Sequence, residues 1–154
     1  MSLSIDDVIN PSLVVLDLKA GDRDAAIAEM AERLVADGRV TDVDAFVDVV
    51  RRREEDSPTG MEMGVAIPHG KSAAVSRAGV VFARSAQGID FGSDEGVQSR
   101  LLFLIAAPDS SDDLHVTLLS KLARKLIHED FRSALAQAQT EEEAMDILRQ
   151  EVTL

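Results

Sequence analysis

The chain has 154 residues, 45% of them apolar, enough for one domain that buries about two-thirds of its unfolded surface. Five Phe with no Trp or Tyr mean an aliphatic core and no stacking on nucleic-acid bases, and a net charge of −12 disfavours phosphate backbones and anionic lipid. With no cysteine, disulfides, thiolate metal sites and thiol nucleophiles are excluded, and without a long apolar run no direct membrane insertion is expected, so the protein reads as cytoplasmic.

The charge is unevenly built: 12 Arg and 4 Lys face 17 Asp and 11 Glu. An Asp-rich, Lys-poor surface suits concentrated salt, where screening removes self-repulsion. A halophile-like acidic surface is therefore expected.

In chain order, Leu13 to Leu18 is a short apolar run after Asn10-Pro11 and reads as a strand. A helix is expected from about Asp22 to Asp37, with Ile27, Met30, Ala31, Leu34 and Val35 on one face and Gly38 as its stop. Thr41 or Asp42 caps a second helix with the stripe Val43, Phe46, Val47, Val50, which runs through Arg51-Arg52-Arg53-Glu54-Glu55 and ends before Pro58. Met63 to Ile67 reads as a strand leading to His69. Gly79 to Arg84 and Arg100 to Ala107 read as two more, the second apolar enough to be central. After Pro108, Ser110-Ser111-Asp112-Asp113 offers caps for a helix striped by Leu114, Leu118, Leu119, Leu122 and Leu126. A short helix over Asp130 to Gln137 follows, then a last one opened by the capping box Thr140 to Glu143 that buries Ala144, Ile147 and Leu148. The expected architecture is α/β: a mixed β-sheet sandwiched between helices on both faces, in a single domain over residues 1–154 with its core at about 8–150.

The chemistry concentrates in Gly64-Val65-Ala66-Ile67-Pro68-His69-Gly70-Lys71. Proline biases Ile67 toward extended geometry, and Gly70 removes bulk where a partner would approach. This predicts an imidazole on a rigid turn at a strand end, with little covering it. Such a ring can attack, hold and release a phosphoryl group near neutral pH.

His115 lies in the first turn of its helix on the side of Leu118, Leu119 and Leu122, where it serves either as a core-edge residue or as a neutral donor to a bound phosphate. His128, beside Glu129 and Asp130, reads as surface. Among the three arginines, Arg53 follows Phe46 by seven residues and so continues the edge of the buried face. It is the one best placed to reach inward, as a phosphate fork or in an ion pair with Glu54 or Glu55. Gly64 and Gly70 enclose five residues where a P-loop needs four, so a nucleotide loop is rejected. Histidine intervals of 46 and 13 fit no zinc site, and no Gly-x-Ser-x-Gly elbow is present.

Arg53-Glu54-Glu55, Thr59-Gly60, the segment Gly64 to Lys71 and the helix His115 to Ala123 occur in the order of a known family. Over approximately residues 8 to 150 the chain resembles the fructose/mannitol-type EIIA domain (EIIA type-2) of the sugar phosphotransferase system. The resemblance implies that His69 accepts a phosphoryl group from the carrier HPr and passes it to a cysteine of an EIIB partner serving a membrane sugar permease. It implies that His115 and Arg53 stabilise the phosphate, and that no metal, nucleotide or other cofactor takes part. Fructose is the expected sugar. A regulatory phosphoprotein of the nitrogen-type EIIA branch, with the same His69 chemistry, is the alternative. Pro58 and Met63 depart from the family pattern, the latter where polar side chains are common.

Overall fold

The computed structural model describes residues 4–111 and 113–154; the expected cap contribution of Asp112 lies outside them. In chain order the elements are α1 (Ile5–Val8), a 3-10 turn (Pro11–Leu13), β1 (Val14–Val15), α2 (Arg23–Ala36), α3 (Val43–Asp56), β2 (Val65–Ala66), β3 (His69–Ser72), β4 (Gly79–Ile89), β5 (Ser99–Pro108), α4 (Leu114–Leu126), α5 (Glu129–Gln137) and α6 (Glu141–Glu151).

The sheet is mixed. β1 runs parallel to β4, β4 antiparallel to β5, and β2 and β3 both pair with β5 in parallel. Val65 lies opposite Leu101 and His69 opposite Ile105, so β2 and β3 are one broken edge strand, interrupted at Ile67-Pro68. Pro68 cannot donate to the ladder, but its carbonyl accepts from Ile105 N–H at 3.0 Å and so keeps the register across the break. Leu102 to Ala107 are all buried, and successive strand residues point to opposite faces, so β5 is covered on both sides as expected of a central strand. α2 packs on β4 and β5, α3 on β3, and α4 on β5 and β3.

Local chemistry sets most helix starts where expected. Asp22 accepts from Ala25 N–H at 2.8 Å, Asp42 from Ala45 N–H at 3.1 Å, and Thr140 from Glu143 N–H at 3.0 Å. α2 ends at Gly38, whose φ of 75° suits glycine.

Several expectations are corrected. The Leu13 to Leu18 run forms only two strand residues, because Pro11 opens a 3-10 turn capped by Asn10 Oδ1 on Ser12 N–H. Met63 to Ile67 shortens to Val65–Ala66, since Gly64 at φ 83° closes a turn back to the Met61 carbonyl at 3.0 Å. The strand expected to stop at Arg84 continues to Ile89 through an irregularity in register. α4 starts at Leu114 without a side-chain bond from Asp113, while the Ser111 hydroxyl donates to the Pro108 carbonyl at 2.6 Å. α6 buries Met145 with Ala144 and Leu148, leaving Ile147 partly covered. α1, too short to carry a period, was not expected.

Candidate functional site

His69 opens β3 and does not sit on an exposed turn. Its residue is only 6% exposed, which corrects the expectation of a largely uncovered ring. The cause is long-range: pairing with β5 draws the segment into the sheet, where α3 packs over it. Gly70 is correspondingly small for packing. A Cβ there would meet Val50 Cγ2 at 2.9 Å and Val49 Cγ1 at 3.2 Å, so the space expected for an approaching partner is filled by α3.

Burial leaves one side of the ring defined. His69 Nδ1 lies 2.8 Å from the Ile67 carbonyl oxygen, and a carbonyl can only accept, so Nδ1 carries the proton. Among the described residues, Nε2 has no hydrogen-bond partner. Burial, first, and the positive charge of Arg53 hold the His69 pKa below its usual value, against the opposing bond to Ile67. The ring is therefore neutral at pH 7, with a lone pair on Nε2.

His115, second residue of α4, stands with its ring centroid 6.5 Å from that of His69 and tilted by 32°. Its pKa is also lowered, by burial first, then by repulsion from the protonated form of His69 and from Lys71, with Asp113 opposing. Its Nδ1 is sealed from solvent and, among the described residues, has no hydrogen-bond partner. Arg53, in the last turn of α3, is half-buried. It forms no ion pair with Glu54 or Glu55; its Nη1 donates to the Ser57 carbonyl at 2.8 Å. Arg52 is solvent-exposed and pairs with Asp48, and Arg51 pairs with Asp24 across to α2. His128 lies exposed at the start of α5. The fold thus brings His69, His115 and the field of Arg53 together and leaves His128, Arg51 and Arg52 outside. Met63, on the loop before β2, is exposed, with its sulfur 3.7 Å from Arg132 Nη1.

Behind His69 lie Glu54 and Thr59, which their local sequence does not mark as partners of the ring. Glu54 is fully buried on α3, and its carboxylate receives both the backbone N–H of Thr59, at 3.1 Å, and the Thr59 hydroxyl. A signal for its burial was present: Phe46, Val50 and Glu54 recur every four residues, which puts the glutamate on the buried face. Burial raises its pKa, while Thr59, Arg23 and Arg53 pull the other way.

A neutral imidazole offered at one nitrogen, with a second imidazole and a guanidinium nearby, is suited to transient histidine phosphorylation. Known proteins agree with that class. The fold superposes on the crystal structure of the nitrogen regulatory protein IIA-Ntr from Neisseria meningitidis with a TM-score of 0.85 at 29% identity, covering 94% of this chain and 98% of that one. It also matches the Escherichia coli complex of enzyme IIA mannitol with phosphorylated enzyme IIB mannitol, with a TM-score of 0.79 at 28% identity over 92% and 97% of the two chains. In sequence it is 39% identical, over 140 residues and 91% of each chain, to the fructose-specific EIIA component of Haloferax volcanii. The profile of the EIIA 2 family of the phosphoenolpyruvate-dependent sugar phosphotransferase system matches residues 7–151. The chain belongs to that family: it is an EIIA type-2 phosphoryl carrier, and such components transfer phosphate through histidine.

Proposed function

We propose that His69 is the phosphoacceptor, that His115 and Arg53 stabilise the phosphoryl group on it, and that the protein carries phosphate from HPr to the cysteine of an EIIB partner for fructose uptake. One observation carries the assignment: the 2.8 Å bond from Nδ1 to Ile67 leaves Nε2 as the available nucleophile beside His115.

The Nε2 lone pair attacks phosphorus in line. The P–N bond of the donor phosphohistidine breaks as P–Nε2 forms, and the donor nitrogen leaves with the electron pair. Positive charge then spreads onto the His69 ring, where the Ile67 carbonyl stabilises Nδ1–H. In the second step a cysteine thiolate of EIIB attacks phosphorus and Nε2 recovers its electron pair. His115 supplies a neutral donor to the phosphoryl oxygens and Arg53 positive potential, so catalysis is positioning plus charge stabilisation.

The fructose assignment is supported by the Haloferax volcanii relative. Work on both partners in the cytoplasm is consistent with the finding that, among the described residues, no helix is long and apolar enough to cross a membrane. The regulatory reading draws on the 0.85 TM-score to IIA-Ntr. Chasing phospho-protein with a fructose-type EIIB separates the two: rapid loss of label to the EIIB cysteine is expected, and retention of label would favour regulation by target binding. His115→Ala should still accept phosphate but pass it on poorly; a wild-type chase would remove His115 from the site.

A further inference from the structure

We infer that Glu54 is a positioning residue, which fixes the tautomer and orientation of His69 through Thr59 and the backbone of Ile67. This rests on His69 being the phosphoacceptor.

The link is continuous and its direction is set at every step. Ile67 N–H can only donate, so Thr59 Oγ1, 3.2 Å away, accepts there. The Thr59 hydroxyl proton must then go elsewhere, and it goes to Glu54 Oε1, while Thr59 N–H donates to Oε2 at 3.1 Å. Ile67 is thus gripped through its N–H, and its carbonyl holds His69 Nδ1–H. Ile67 also sits at the break between β2 and β3, followed by Pro68, where ladder bonds alone do not fix its peptide planes. At that break Thr59, held by the carboxylate of α3, supplies the acceptor for Ile67 N–H.

Stability alone is a poor reason for this arrangement. A fully buried carboxylate is costly, and an apolar residue of similar size commonly packs as well or better. A carboxylate with both oxygens turned to Thr59, whose hydroxyl reaches the residue bonded to His69, does what an apolar residue cannot. Glutamine is no substitute: turned one way its amide N–H₂ faces Thr59 N–H, and turned the other it competes with Ile67 N–H for the Thr59 oxygen.

The test combines ¹⁵N NMR of the His69 ring in the unphosphorylated protein with the rate of labelling by phosphorylated HPr. Thr59→Val keeps the shape and removes the hydroxyl. It is expected to shift the ring nitrogens away from the single Nδ1–H form and slow labelling roughly tenfold, the scale of one lost buried hydrogen bond. Thr59→Ser should restore both readouts, and Glu54→Gln should move both in the direction of Thr59→Val. Should Glu54→Gln not fold, the two threonine variants still decide. An unchanged His69 tautomer in Thr59→Val overturns the inference, whatever the rate; so does equal impairment of the valine and serine variants. If wild-type protein takes no label on His69, the functional reading fails, and the NMR arm alone still judges the link.

Discussion

At the level of single residues, the proposed phosphoacceptor is an imidazole that stays neutral. Burial and Arg53 depress the His69 pKa, so the neutral form persists as pH falls to the ordinary value of about 6.5. Labelling by phosphorylated HPr should hold its plateau to that pH and decline only below it. A midpoint at or above 6.5 would contradict the assignment of a buried neutral ring. The same shift bears on stability. The unfolded chain binds the proton at higher pH than the fold does, so the His69 contribution is fully present above about 6.5 and is lost as pH falls from there through the lower pKa of the folded state. Denaturant midpoints of wild type and His69→Gln at pH 7.5 and 5.5 should therefore differ, with wild type losing more. Arg53→Lys should slow labelling while sparing the fold, because a point charge replaces the guanidinium fork; an unchanged rate would remove Arg53 from the site.

Among the elements, helix starts were legible because they are written locally. Asp22, Asp42 and Thr140 cap the helices that their spacing announces. The strand β3 was not. His69-Gly70-Lys71-Ser72 has no strand character of its own and becomes a strand through β5, more than thirty residues away. The burial of His69 was hidden for that reason. Glu54 was hidden differently, inside a charged run that looks solvated unless it is tied to Val50 and Phe46. The contact between α3 and β3 can be tested at Gly70. A methyl group there would lie 2.9 Å from Val50 Cγ2, so Gly70→Ala should destabilise the protein by about 1–3 kcal/mol in urea unfolding and disturb His69 beside it. Wild-type stability would show that α3 does not press on the strand.

For the molecule as a whole, the fold class, the mixed sheet and the family were all readable, because aliphatic runs, helical stripes and four ordered motifs agree with one another. The net charge carries a separate expectation. With a net charge of −12, self-repulsion opposes the compact state in dilute buffer and is screened at ionic strengths where the Debye length falls to about 3 Å. The urea midpoint should rise as KCl is raised from millimolar to molar concentration. A flat or falling response would mean that the surface is not adapted to salt.

The position of the phosphate decides whether His69 is the phosphoacceptor. Protein labelled by phosphorylated HPr is analysed by ³¹P and ¹⁵N NMR for the residue and ring nitrogen that carry it. An acid-labile phosphoryl group is expected on Nε2 of His69, absent from His69→Ala. Phosphate on Nδ1, on another residue, or persisting in His69→Ala would contradict this assignment.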